Sequence, residues 1–258
     1  MDSRPIGVFD SGMGGISLWR AIRSALPNES LIYLGDGENC PYGDKRPEQV
    51  VEFAFKAVET LLQYSCKMVV IACNTATSTA IGQLRTAYPE IPFVGMEPAV
   101  KPACRDTESG IVAVLATKRS LESDMFAETL SKYATNVEVI RRIGEGFVEL
   151  VERGEEGSEE AYNLVKPIIE EIIDKGVDKI VLGCTHYPFL TKQIERVIAG
   201  RKIDIVDPSH AIVCRIIKLL DEYEMTAPSD AELKDEFISF AGESYRKMLV
   251  LRAKDTFI

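Results

Sequence analysis

The sequence lacks the cysteine pairs and the long apolar runs that would assign it to several common protein classes. Its six cysteines are spread along the chain without a CxxC pair, which predicts free thiols in a reducing compartment rather than a disulfide framework. No apolar run approaches the roughly 20 residues of a transmembrane helix, and no signal-peptide segment opens the chain. We therefore expect a cytoplasmic protein with no membrane partner.

An excess of basic residues is also missing, and the composition is that of an acidic globular protein. The chain has 40 Asp and Glu against 30 Lys and Arg, for a net charge of −10. Because phosphate backbones are bound by clustered Lys and Arg, no nucleic acid partner is expected. Hydrophobic residues make up 46% of the 258 residues, which is enough for a core without disulfides or metal.

Two stretches each place a cysteine at the end of a predicted strand. VVIACNTATS at 69–78 leads an apolar run to Cys73, and IVLGCTHYP at 180–188 brings Cys184 to the same point. Such unbroken apolar runs are typical of strands covered on both faces of a parallel sheet. Polar residues follow, where the free N–H groups of a helix N-terminus can bind a carboxylate. Both stretches are interpreted as ligand loops.

The second half of the chain repeats the strand pattern of the first. Predicted strands that begin near residues 6, 31, 70 and 91 have counterparts near 112, 137, 181 and 203. Alternation of strands with helices predicts parallel sheets. We predict two pseudo-symmetric parallel-sheet α/β domains, residues 1–97 plus 208–258 and residues 98–207, with the active site in the cleft between them.

The thiols of Cys73 and Cys184, at equivalent strand ends, indicate an enzyme that removes a proton from a carbon atom and returns one to it. One thiolate would remove a proton from one face of a carbon and the other thiol would return a proton to the opposite face, which is racemisation or epimerisation. Asp10, in the glycine-rich turn DSGMGG, and His186 could each assist one thiol. A zinc site of Cys73, Cys184 and His186 is the weaker interpretation, because the spacing matches no common zinc frame.

The other cysteines carry a structural prediction. We expect them to behave as small buried hydrophobic residues, and they are Cys40, Cys66, Cys104 and Cys214. His210, next to a predicted helix cap at Ser209, is expected to be structural. The helix predicted over 209–222 has an apolar face that includes Ile217.

Four separated motifs span nearly the whole chain: FDSGMGG at 9–15, PYG at 41–43, ACNTAT at 72–77 and GCTHYP at 183–188. By these motifs the chain resembles the glutamate racemases of the cofactor-independent aspartate/glutamate racemase superfamily. The resemblance implies an isomerase that interconverts L-glutamate and D-glutamate without a cofactor. It also implies a homodimer, and a role in supplying D-glutamate for peptidoglycan synthesis, cell-wall biogenesis and cell shape.

The same resemblance implies roles for individual residues. Cys73 would deprotonate D-glutamate and Cys184 would deprotonate L-glutamate, with Asp10 assisting the first thiol and His186 the second. Glu152 aligns with a family glutamate near His186, and no metal is implied. The family's substrate-contact positions match Asp10, Ser11, Pro41, Tyr42, Gly43, Asn74, Thr75, Thr117, Thr185 and His186.

The chain departs from the family pattern in the stretch before Glu152 and at one later loop. Gly144 and Glu145 stand where Cys-Pro is expected, Glu149 replaces a proline, and His210 lies in an unusual DPSH sequence.

Other functions stay open at this point. They are racemisation of aspartate or another amino acid, decarboxylation by a superfamily relative, and non-catalytic binding of acidic amino acids. The pair of cysteines favours racemisation, because the decarboxylating relatives need only one.

Overall fold

The computed structural model describes residues 1–254 and divides into two compact units. The first unit is Met1–Met96 together with the chain from Ser209 onward, and the second is Glu97–Pro208. The described residues form nine β-strands: β1 (Ile6–Asp10), β2 (Leu31–Gly35), β3 (Met68–Ile71), β4 (Phe93–Gly95), β5 (Ile111–Ala116), β6 (Glu138–Ile143), β7 (Lys179–Gly183), β8 (Asp204–Val206) and β9 (Glu236–Ser239).

Residues 1–254 also form eleven α-helices: α1 (Ile16–Ala25), α2 (Pro47–Gln63), α3 (Asn74–Ala87), α4 (Val100–Asp106), α5 (Lys118–Leu121), α6 (Asp124–Tyr133), α7 (Phe147–Glu152), α8 (Glu159–Asp174), α9 (Thr191–Ile198), α10 (Ser209–Glu222) and α11 (Glu243–Lys254). Short 3₁₀ turns lie at Tyr42–Asp44 and Tyr187–Leu190. None of the helices in this part of the chain has the length and apolar character needed to cross a membrane.

The first unit is built on a five-stranded parallel sheet in the order β4-β3-β1-β2-β9. Every residue of β1, β2 and β3 is buried, as expected for central strands covered on both faces. Because all five strands are parallel, their carboxyl ends lie along one edge of the sheet, and the loops that follow β1, β2 and β3 meet there.

The second unit is built on a four-stranded parallel sheet in the order β6-β5-β7-β8. Its core contains Val112, Val114, Ala116, Phe126 and Val181. The predicted parallel α/β fold is thus confirmed for both units, and the helices predicted at Glu159–Asp174 and Ser209–Glu222 have those bounds.

Some sequence predictions were wrong or incomplete. Cys66 and Cys104 are buried as predicted, but Cys40 is only partly buried and Cys214 is exposed. Ile217, predicted on the apolar face of α10, is 42% exposed. The buried positions Ile212, Val213, Ile216, Leu219 and Leu220 define a narrower stripe than predicted, and helical geometry turns residues 214 and 217 away from it.

A fully buried ion pair in the first unit joins three segments. Lys67 Nζ lies 2.6 Å from Glu29 Oε2, and the two side chains are 0% and 2% exposed. The same ammonium donates to the carbonyl oxygens of Asp2 at 2.6 Å and Met225 at 2.7 Å. Glu29 Oε1 accepts the N–H of Ala227 at 2.8 Å. These contacts fasten the N-terminal segment and the 225–227 loop to the start of β3.

We expect Lys67→Met to lower the free energy of unfolding by about 3–5 kcal/mol, because the variant leaves the Glu29 carboxylate buried without its cation. Urea denaturation followed by circular dichroism measures the change. The double variant Lys67→Met/Glu29→Gln should recover part of the loss, since the uncompensated charge is gone. Lys175→Met, at an exposed lysine, is the control. A loss below about 1 kcal/mol for Lys67→Met would contradict this account.

Candidate active site

In the first unit, β1 and β3 end side by side and each is followed by polar residues. Phe9 pairs with Ile71 in parallel register, so Asp10 and Cys73 leave the sheet at the same edge. The Asp10 side chain is fully buried and Ser11 is 4% exposed. Asp10 Oδ2 accepts the N–H of Gly12 at 3.1 Å, which folds the glycine-rich turn back over the end of β1.

Gly15 closes this turn where a side chain would not fit. A Cβ there would lie 2.8 Å from the Cβ of Asp10 and 3.0 Å from that of Ala72, closer than side-chain carbons pack. Tyr33 in β2 supports the same turn, because its buried hydroxyl donates to the carbonyl of Gly12 at 2.7 Å. The turn is therefore held against the two strand ends that carry Asp10 and Cys73.

Cys73 lies at the N-cap of α3. Its Sγ accepts the N–H of Ala76 at 3.4 Å, and the residue is 5% exposed. Orphan N–H groups and the positive end of the helix dipole favour a negative charge at this position. The geometry therefore supports a thiolate at Cys73.

Asn74 and Thr75 open α3 and are both buried, at 4% and 2% exposure. The amide Nδ2 of Asn74 donates to the carbonyl of Met96 at 3.3 Å. Its Oδ1 is buried with no hydrogen-bond partner among the described residues. A buried acceptor without a donor costs stability, so this oxygen points to a ligand that donates a hydrogen bond beside Cys73.

Tyr42 belongs to the loop after β2 and is held by Asp36. The Tyr42 hydroxyl donates to Asp36 Oδ2 at 2.7 Å, and Asn39 Nδ2 donates to both carboxylate oxygens of Asp36. Burial, and then the negative charges of Asp36, Cys73 and Asp10, raise the pKa of Tyr42 well above its ordinary value, so the hydroxyl stays a donor. Pro41 and Gly43 flank this tyrosine, after the cis peptide bond Cys40-Pro41.

Asp36 was not predicted as a functional residue. It is fully buried, and its backbone N–H donates to the carbonyl of Asp10 at 3.1 Å. The sequence did contain a signal, because Asp36 follows the end of β2 as closely as Asp10 ends β1. The resemblance to the family marked Pro41, Tyr42 and Gly43 in this loop as substrate-contact positions, but it did not mark Asp36, which holds the loop through Tyr42.

In the second unit, β5 and β7 bring Thr117 and Cys184 to one sheet edge. Ala116 pairs with Gly183, and the next residue on each strand is the predicted site residue. Thr117 caps α5: its Oγ1 accepts the N–H of Ser120 at 3.3 Å and donates to Ser120 Oγ at 2.9 Å.

A continuous line of polar contacts joins Cys184, His186 and Glu152. Cys184 Sγ lies 3.8 Å from His186 Nδ1, and His186 Nε2 lies 2.6 Å from Glu152 Oε1. Thr185 Oγ1 lies 3.4 Å from the same Nδ1. Cys184 is 8% exposed and His186 is 1% exposed. The structure therefore brings together a thiol, an imidazole and a carboxylate in an order suited to proton transfer.

The departures from the family pattern before Glu152 fit this arrangement. Gly144 lies where a Cβ would come within 2.5 Å of the Phe147 ring and 2.7 Å of the Tyr187 hydroxyl. Tyr187 donates to the Gly144 carbonyl at 3.4 Å and its ring meets Phe147 edge-on at 5.3 Å. These contacts pack α7 against the turn after β7, which places Glu152 at His186. Glu149 is exposed and does not interfere.

Sequence comparisons identify relatives of the whole chain. The sequence matches the Asp/Glu/hydantoin racemase family over residues 6–216. It is 40% identical over 254 residues to a glutamate racemase of Clostridium perfringens, with 98% of this chain and 96% of the relative covered.

Solved structures give the same result. The fold is similar to a glutamate racemase of Bacillus anthracis, with a TM-score of 0.88 and 30% identity over 98% of this chain and 94% of that chain. It is also similar to an Escherichia coli glutamate racemase in complex with L-glutamate and the activator UDP-MurNAc-ala, with a TM-score of 0.85 and 30% identity over 97% and 95% of the two chains.

Fold and relatives agree on a class of enzyme, the amino-acid racemases, which are isomerases. Within that class, the chain belongs to the Asp/Glu/hydantoin racemase family. The resemblance predicted from the four sequence motifs is confirmed.

Proposed function

We propose that the protein interconverts L-glutamate and D-glutamate, with Cys73 and Cys184 as the two proton carriers at the α-carbon. The observation that carries the proposal is the matched pair of buried thiols, each just after the corresponding strand of its own unit. Relatives of about 40% identity that are named glutamate racemases favour glutamate as the substrate.

In the proposed reaction, one proton is removed from the α-carbon and a different proton is added to it. In the D-to-L direction the Cys73 thiolate takes the α-proton, and the Cys184 thiol gives its proton to the opposite face. The electron pair of the broken C–H bond delocalises into the α-carboxylate, where N–H groups at the start of α3 and after β7 are the available donors. None of the four motifs contains a lysine for a Schiff base, which supports a mechanism without a pyridoxal cofactor.

The two thiols have different assistants in this proposal. In the proposed tautomer, Glu152 accepts a hydrogen bond from His186 Nε2–H, and the unprotonated Nδ1 accepts the proton of the Cys184 thiol. On the other side, Asp10 assists Cys73 at the N-terminus of α3. Thiol activation is therefore local to each unit, and neither sulfur depends on its partner for its assistant.

The remaining polar residues would hold the substrate. The orphan Oδ1 of Asn74 suits the α-ammonium group, and hydroxyl and backbone donors suit the two carboxylates of glutamate. The residues proposed for these contacts, with Asp10 and His186, are Ser11, Pro41, Tyr42, Gly43, Asn74, Thr75, Thr117 and Thr185. D-glutamate made in this way would supply peptidoglycan synthesis, and the enzyme is proposed to act as a homodimer in the cytoplasm.

The test is to incubate the protein in D₂O with L-glutamate, D-glutamate or aspartate at matched concentrations. The circular dichroism of either glutamate enantiomer should decay to zero, because the enantiomers have equal free energies, and one deuterium should appear at the α-carbon. Activity on aspartate alone would move the assignment to the shorter acid, since one methylene contributes about 1–3 kcal/mol to discrimination. Binding of glutamate without deuterium exchange would make the protein a non-catalytic binder.

We expect Asp36→Asn to lower kcat/KM for glutamate about tenfold, chiefly through a higher KM. The amide has the size of the carboxylate but lacks its charge and one of its two acceptor oxygens. The hydrogen bonds from Tyr42 and Asn39 are therefore weaker, and the loop after β2 is held less firmly. Initial rates by circular dichroism measure the effect. Asp44→Asn, at an exposed aspartate of the same loop, should behave as wild type. Equal kinetics for the two variants would contradict a positioning role for Asp36.

A further inference from the structure

Three groups of the first unit fix the backbone of Met96. The Met96 N–H donates to the carbonyl of Ile71 at 3.0 Å and to Thr77 Oγ1 at 3.1 Å. Its carbonyl accepts Asn74 Nδ2 at 3.3 Å. Met96 is also the last residue of the first unit before the chain continues into the second. We name this set of contacts, made by Ile71, Asn74, Thr77 and Met96, the Met96 clamp.

Thr77 is the centre of the Met96 clamp. It is 1% exposed, and its Oγ1 donates to the carbonyl of Ile71 at 3.1 Å while accepting the Met96 N–H. Its own N–H donates to the carbonyl of Cys73 at 2.9 Å. One side chain thus joins the end of β3, the first turn of α3 and the residue that follows β4.

The position of the second unit that corresponds to Thr77 has no hydroxyl. The cysteines are 184 − 73 = 111 residues apart, and the same offset from Thr77 leads to Pro188. Pro188 has neither a hydroxyl nor an N–H group, yet β7 and the turn after it are formed there. A 3₁₀ turn follows β7 whereas α3 begins directly after Cys73, so the hydroxyl contacts of Thr77 are a feature of the first unit alone.

We infer that Thr77 is a positioning residue for the substrate amino group. Its hydroxyl fixes Met96, the Met96 carbonyl fixes the amide of Asn74, and the amide then presents its buried Oδ1 beside Cys73. The identity of the ligand rests on the proposed function, whereas the Met96 clamp is a property of the first unit alone. Loss of the hydroxyl leaves Met96 N–H and the Ile71 carbonyl bonded to each other, so the variant folds.

The kinetic test compares Thr77→Val with Thr77→Ser and Thr86→Val. Thr77→Val removes the hydroxyl with little change in side-chain shape. We expect it to raise KM for D- and L-glutamate about tenfold, with a smaller change in kcat. The reason is that the contact between the substrate ammonium group and Asn74 is weakened equally in the ground state and the transition state. Thr77→Ser keeps the hydroxyl and should restore KM. Thr86 lies exposed on the same helix, with its hydroxyl on the Gly82 carbonyl, and Thr86→Val should match wild type.

A double-mutant cycle tests whether Thr77 acts through Asn74. Thr77→Val/Asn74→Ala should have a KM no higher than that of Asn74→Ala alone, because both changes remove the same contact. Multiplicative effects on KM, or a Thr77→Val variant with the KM of wild type, would overturn the inference.

Hydrogen exchange provides a measurement that needs no turnover. The Met96 amide should exchange about fivefold faster in Thr77→Val than in wild type or Thr86→Val, because one of its two acceptors is gone. Unchanged exchange would show that the Met96 clamp is absent and overturn the inference. Faster exchange in a protein that does not racemise glutamate would reject the proposed function and leave the clamp standing.

Discussion

Replacement of either Cys73 or Cys184 by alanine is expected to lower the rate of glutamate racemisation at least about a thousandfold in both directions. Each variant removes one of the two proposed proton carriers, and general acid–base catalysis by one group alone contributes about 10²–10⁴-fold. Both directions should fail together because every inversion uses both thiols in the proposed mechanism. Circular dichroism of each enantiomer at saturating substrate measures the residual kcat.

The controls for this prediction are cysteines with no proposed role. Burial raises the pKa of Cys66 to about 12 and also raises the pKa of Cys104, so neither is a thiolate at neutral pH. Cys66→Ala and Cys214→Ala should keep wild-type kinetics, and thermal melts should show that Cys73→Ala and Cys184→Ala are folded. A variant of Cys73 or Cys184 that racemises near the wild-type rate would reject the two-thiol mechanism.

The strands were predictable because a buried parallel strand has a strong local signal. Val69, Val70 and Ile71 are apolar without alternation and rich in β-branched side chains, and a run this short is typical of a strand covered on both faces. The repeat of strands along the chain then predicted two parallel sheets. Polar residues directly after strands such as β1 and β7 were predicted as site residues for the same reason, since parallel strands end at one sheet edge.

The residues that support the site were less predictable because their partners lie far away in sequence. Glu152 lies 2.6 Å from His186 in a helix whose Phe147 packs edge-on against Tyr187, and no local pattern encodes these contacts. The sequence places Thr77 in a predicted helix but gives no sign that its hydroxyl accepts a hydrogen bond from Met96. The short helices α4, α5 and α7 likewise lack the length that makes a period of 3.6 residues visible.

In the proposed mechanism, the two thiols have different surroundings. Cys73 has backbone support from the N-terminus of α3, whereas Cys184 has an imidazole backed by a carboxylate. The sulfurs occupy equivalent positions at strand ends, but the groups proposed to assist them differ between the two units. A change to one assistant should therefore affect kcat and KM unequally for the two enantiomers, while equilibrium forces equal effects on the two values of kcat/KM.

Single serine variants are expected to separate the two directions of proton removal. The probe is a glutamate analogue with a leaving group on its nitrogen. When the α-proton is removed, the C–H electron pair forms a C=N bond and the bond to the leaving group breaks. The imine then hydrolyses to the 2-oxo acid and ammonia. No second proton carrier is needed, so a variant that cannot invert the α-carbon still gives product.

Cys73→Ser should form the 2-oxo acid from the L-analogue only, and Cys184→Ser from the D-analogue only. Each surviving thiolate keeps its own assistant and removes the proton from its own face, whereas serine is too weak an acid to replace the missing thiolate. We expect an enantiomer preference of at least about a hundredfold for each variant. The wild type should consume both analogues, and the variant with both cysteines replaced by serine sets the background. If both single variants consumed the same enantiomer, the two sulfurs would not act on opposite faces of one carbon, and the duplicated strand ends would need another explanation.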